Sequence, residues 1–161
     1  MVTLLFFYRQ TNPGLHLYQA YFEATPHVGQ GITRAAAAPS GEYAVLEQGK
    51  RYHQAGQYDY ALTSLRSYLT TQPIPADYLP ELLAGTAAMA TGNYAEARRY
   101  LQELPTEDTD ADAAALWYLS LLDLHDENLD AAQGKLQLLT ASPAARQYPV
   151  DELLAKIEKR I

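Results

Sequence analysis

The feature that most restricts how this chain can fold is a seven-residue pattern that returns three times. It reads GQYDYAL from Gly56, GNYAEAR from Gly92 and ENLDAAQ from Glu127, with starts at 56, 92 and 127 and hence spacings of 36 and 35 residues. A period of that length marks one supersecondary unit per copy, and each unit can bury its apolar face only against its neighbours. Each copy opens with a small or polar pair, Gly56-Gln57, Gly92-Asn93 and Glu127-Asn128, which suits the end of one helix and the start of the next. A large residue follows (Tyr58, Tyr94, Leu129), then an alanine three positions on (Ala61, Ala97, Ala132). Such an alternation fits two helices in close approach, where the alanine leaves room and the large side chain fills the adjacent gap.

The flanks carry helical periodicity. Upstream lie Val45, Leu46, Gly49 and Tyr52, then Leu82, Leu83, Gly85, Ala88 and Met89, then Leu116, Trp117, Leu119, Leu121 and Leu122. Downstream, Leu62, Leu65, Tyr68 and Leu69 recur at three-to-four spacing, as do Leu101 with Leu104 and Leu136 with Leu139. Pro73, Pro105 and Pro143 then stop each second helix. The expectation is an all-α chain of three helix pairs, at about 42–75, 78–105 and 112–143.

These positions resemble the tetratricopeptide repeat family. Gly49, Tyr52, Gly56, Tyr58, Ala61, Leu65 and Pro73 match one signature, and Gly85, Gly92, Tyr94, Ala97 and Leu101 the next. The third unit departs from the pattern, with Ser120 in place of Gly49 and Gly85 and Glu127 in place of Gly56 and Gly92. The resemblance covers about residues 42–143 and implies a right-handed α-α superhelix whose concave groove is lined by the first helix of each pair.

Both ends read as additions to this array. After Pro149, Val150, Leu153, Leu154 and Ile157 mark one face of an amphipathic capping helix at about 149–160. Asn12-Pro13 reads as a helix start with Asn12 as the cap, and Leu15, Leu17, Tyr18, Tyr21 and Phe22 form an apolar face up to about Glu23. From Ala24 to Ser40, Pro26, Gly29, Gly31 and Pro39 point to a loop or a docked extended segment. The expected division is therefore an extension over 1–41 and a repeat domain over 42–161. Residues 17–34 are similar to the segment that joins an N-terminal membrane helix to the repeats in many Bacteroidetes-type proteins. That resemblance implies a tether upstream of Met1, of which MVTLLFF would be the last turns, and a place in the bacterial cell envelope. Without such a tether the chain reads as soluble and cytoplasmic.

Composition narrows the function. The net charge of -7 and the scattered basic residues lack the basic stripe that a phosphate backbone requires, which sets nucleic acid aside as a partner. With no cysteine there is no thiolate chemistry. The four histidines include no pair at helical metal spacing, and the run Glu107, Asp108, Asp110, Asp112 lacks the glycine and closing glutamate of a calcium loop, since Ala113 and Leu119 stand there. That run reads instead as a linker that caps the next helix. No nucleophile elbow or phosphate-binding loop occurs, so the expectation is a non-enzyme without cofactor or metal.

What remains is the groove. The resemblance implies a lining that includes Tyr43, Leu46, Lys50, His53, Leu82, Thr86, Met89, Trp117 and Leu121. Only Lys50 could join the kind of basic clamp that related modules close on a carboxylate tail, so an apolar or amphipathic segment of a partner protein is the expected ligand. The N-terminal helix competes for that role, because Tyr18, Tyr21 and Phe22 need an apolar surface of their own. Among the thirteen tyrosines, Tyr52, Tyr58, Tyr94 and Tyr118 read as core, while Tyr43, Tyr60, Tyr78 and Tyr148 read as surface contacts. The alternative to a partner-binding adaptor is a structural role through self-association as a homodimer.

Overall fold

The computed structural model describes residues 12–24, 41–71 and 77–159. The expectations for MVTLLFF, for Pro73 and for most of the 24–40 segment lie outside these residues. The described elements are α1 (Pro13–Tyr21), α2 (Glu42–Gln54), α3 (Tyr58–Thr71), α4 (Leu79–Ala90), α5 (Tyr94–Gln102), α6 (Thr109–His125), α7 (Leu129–Thr140), a 3-10 turn (Pro143–Gln147) and α8 (Val150–Glu158). No strand occurs among the described residues. They divide into two compact units, one drawn from the stretches 1–22 and 116–161 and one from 23–115.

The three repeated motifs make the same turn for the same reason. Gly56, Gly92 and Glu127 have φ of 70°, 76° and 59°, the left-handed conformation that ends a helix. Gly56 N–H donates to His53 O and Gln57 N–H to Tyr52 O, at 3.0 and 2.8 Å. The pair repeats as Gly92 to Met89 with Asn93 to Ala88, and as Glu127 to Leu124 with Asn128 to Asp123. Each is a Schellman motif, in which the last carbonyls of one helix are satisfied by the residues that start the next. Glycine adopts this conformation without cost, whereas glutamate at the third turn is strained by about 1–2 kcal/mol.

Packing inside the hairpins follows the small-against-leucine expectation. Ala61, Ala97 and Ala132 are fully buried, as are Leu65, Leu101 and Leu136. A Cβ on Gly49 would lie 2.9 Å from the Leu65 side chain, and one on Gly85 would lie 3.0 Å from Leu101. Glycine therefore lets each leucine seat directly on the helix backbone, and a leucine so buried contributes about 1.5–3 kcal/mol. The third unit departs by placing Ser120 here, buried, with its hydroxyl donating to Trp117 O at 2.7 Å.

Polar contacts link further helices. Arg66 on α3 holds Glu96 on α5 through two parallel bonds, from Nε at 2.7 Å and Nη2 at 2.5 Å. Lys135 on α7 reaches the buried Asp123 of α6 at 2.5 Å. The acidic run caps α6 as expected, with Asp108 Oδ1 accepting from the backbone N–H of Asp110 and Ala111. The C-terminal helix also forms, with Val150, Leu153 and Ile157 buried and Leu154 half-buried.

Candidate functional site

The nine residues expected to line a groove come from the first helices of the three hairpins. Seven are buried: Leu46, His53, Leu82, Thr86, Met89, Trp117 and Leu121. Lys50 is half-buried and ion-paired to Glu47 at 3.0 Å. Tyr43 alone is open, at 66% exposure. As folded, then, the apolar stripe is spent mainly on packing.

Within the 23–115 unit, His53 on α2 and Thr86 on α4 meet inside the protein. His53 Nε2 and Thr86 Oγ1 are 2.9 Å apart, and the Thr86 hydroxyl also lies 3.1 Å from Leu82 O. The imidazole edge faces the Tyr58 ring at a centroid distance of 5.2 Å. Burial with no carboxylate beside it lowers the His53 pKa to about 4, so the ring is neutral at pH 7. The pair is a polar cross-link between consecutive hairpins rather than a solvent-facing base.

In the other unit, α1 occupies the aromatic face of α6. Tyr21 packs edge-on to Trp117 at 6.5 Å, and Tyr148 stacks on the same indole at 5.2 Å. Tyr18, stacked on Phe22, meets the His125 ring edge-on at 5.3 Å. Tyr148 was expected at the surface, and here the structure corrects the expectation: it is buried against Trp117 because the 3-10 turn before α8 folds it inward. Tyr118 is core as expected, Tyr52, Tyr58, Tyr94 and Tyr78 are half-buried, and Tyr43 and Tyr60 stay exposed.

The polar rim of this contact contains residues the sequence reading missed. Glu127 accepts from Gly14 N–H at 3.2 Å and from Leu15 N–H at 2.9 Å, capping α1 from more than a hundred positions away. The side chain of Asn12, expected to cap this helix, makes no cap bond. Gly14 is buried so tightly that a Cβ there would stand 2.3 Å from Leu124 O. At the far end, Tyr21 Oη donates to Glu152 at 2.6 Å while Lys156 sits 4.8 Å above the Tyr21 ring and pairs with Glu152 at 2.8 Å. The available signal was Glu127 itself, a glutamate where two sister turns carry glycine.

No group of three metal-ligating side chains occurs among the described residues. No described helix is long and apolar enough to cross a membrane. Comparison with family models, with curated proteins and with solved structures found no match for this chain.

Proposed function

We propose that the chain is a protein-binding module of tetratricopeptide type, whose working surface is the aromatic face of α6 and whose ligand is an amphipathic helix. The observation that carries this reading is α1 itself: a short helix with an apolar face, seated on Trp117 and held at both ends by polar side chains. A face that takes a nine-residue helix from its own chain has the shape and chemistry to take a similar helix from a partner, by the helix-in-groove mode. Trp117, Tyr148 and Tyr21 are of the types that dominate such contacts. In this reading α1 is the resident occupant, and a partner helix replaces it.

The test uses the full chain with Gly14→Ala, which unseats α1, and a synthetic peptide spanning residues 12–23 added in trans. The peptide should bind saturably and return the Trp117 emission to that of the unmodified chain. No binding to a variant that loses no more helical signal than the share of α1 would sink the reading. A second reading, self-association, draws on the 112 residues that separate Leu15 from its capping carboxylate, since the same contact made between two copies yields an exchanged dimer. Light scattering that gives only a monomer mass at high concentration would remove it.

A further inference from the structure

The amides at the start of a helix have no partner within it, and at the start of α1 each is provided for. Pro13 opens the helix and has no N–H to satisfy. Gly14 and Leu15 donate to the two oxygens of Glu127, at 3.2 and 2.9 Å. The His16 N–H reaches Asn12 O at 3.3 Å. A carboxylate only accepts, so Glu127 needs free donors in front of it. Within a longer helix the same two amides are engaged by carbonyls four residues earlier, and at a helix C-terminus carbonyls would face the carboxylate instead. The face therefore takes a helix where it begins, and in one direction.

Further contacts set the sequence of that helix. A Cβ at Gly14 would stand 2.3 Å from Leu124 O, so this position admits only glycine. Leu17 and Tyr18 are buried, with Tyr18 edge-on to His125. Tyr21 lies edge-on to Trp117, and its hydroxyl donates to Glu152 at 2.6 Å. Positions 14, 17, 18 and 21 follow the i, i+3, i+4, i+7 spacing of one helical face, whereas His16, Gln19 and Ala20 are exposed. Resting on the helix-binding function proposed above, we propose that this face is a reader of helix N-termini. Its ligand is a helix of a partner protein with glycine at the second helical position and a tyrosine seven residues later, as Gly14 and Tyr21 stand in α1. A second copy of the chain has no such helix to spare, because its α1 is seated on its own face.

The experiment uses the full chain with Gly14→Ala, or with Tyr21→Ala should the first variant fail to fold, and follows Trp117 emission as peptides are added. The peptides are the 12–23 sequence, its Gly14→Ala form, its Tyr21→Phe form, and one in which a helical turn of alanines replaces Asn12-Pro13 so that the helix runs on past Gly14. The parent peptide should bind, the phenylalanine form about threefold more weakly, and the other two at least about tenfold more weakly. Adding Glu127→Gly to the emptied chain should weaken the parent peptide by about tenfold and leave the run-on peptide unchanged. Equal binding of all the peptides would overturn the proposal while leaving the helix-binding function intact, since the face would then take any amphipathic helix. Binding of none, the parent included, would overturn that function and the proposal together. A dimeric mass for the unmodified chain in light scattering would make a second copy the occupant and so overturn the choice of a partner protein.

Discussion

The Glu127 carboxylate caps the N-terminus of the helix that begins beside Gly14, while the Glu127 backbone holds a φ of 59° that glycine would adopt freely. One residue therefore serves two demands that conflict, a turn that prefers no side chain and a remote helix that needs a carboxylate. Replacing Glu127 with glycine relieves about 1 kcal/mol of backbone strain and removes a cap worth about 1 kcal/mol, so global stability should barely move. Alanine removes the cap and keeps the strain, and should be about 1 kcal/mol less stable than the glycine variant. Both should speed hydrogen exchange at the Gly14 and Leu15 amides. Equal stability of the two variants would show that the turn at 127 is not strained, and unchanged exchange would show that the carboxylate is not holding α1.

Gly14 is the steric half of the same contact. A methyl group there would stand 2.3 Å from Leu124 O, a clash with backbone that no rotamer change relieves. Gly14→Ala should cost about 1–3 kcal/mol and lift α1 from α6. Trp117 is the chain's single tryptophan and packs against Tyr21, so its emission should shift to the red while the far-ultraviolet helix signal falls only by the share of α1. Emission identical to the parent chain would place α1 still on its face.

The hairpins were legible in the sequence because their determinants are local. A left-handed turn residue, an alanine three positions past the large residue and a leucine four positions beyond the alanine each act within one unit, and the structure bends the chain at 56, 92 and 127. The fate of the apolar stripe was not legible. Whether Trp117 faces a groove or a covering helix depends on which distant segment arrives, and residues 13–21 come from far earlier in the chain. Helical periodicity reports that Leu82, Thr86 and Met89 share one side of α4, yet says nothing of what lies against them. Asn12 failed as a cap for the same reason: Asn-Pro is a strong local signal, and a non-local carboxylate reached the amides instead.

The pairing of Gly85 with Leu101 can be tested by a reversal of sign. Gly85→Ala gains about 0.5–1 kcal/mol of helix propensity but sets a methyl 3.0 Å from Leu101, so it should be neutral to destabilising in the parent chain. Leu101→Ala alone should cost about 2–4 kcal/mol by opening a cavity. In that background the same Gly85→Ala change has room and should stabilise. Urea unfolding of the four chains measures the coupling, and additive effects would mean that the two residues do not meet as described.

Two groups in the 23–115 unit, the buried His53 and the half-buried Glu81, should tilt stability against pH in opposite senses. His53 is held at about 4, below its ordinary 6.5, so its folded state binds fewer protons than the unfolded chain between those values. Its contribution is full above pH 6.5 and declines by up to about 3 kcal/mol as pH falls toward 4. Glu81 is pushed from 4.5 to about 7, so it is the folded state that keeps the extra proton, and its contribution is full below pH 4.5 and lost as pH rises to 7. Measured against the parent chain, Glu81→Gln should become steadily more favourable from pH 4.5 to 7, whereas His53→Gln should become steadily less favourable from pH 4 to 6.5. Denaturant titrations across that range decide it. Differences that stay flat with pH, or that slope the same way in both variants, would mean that the ring is not neutral beside Thr86 or that the Glu81 carboxyl is better solvated than its buried oxygen implies.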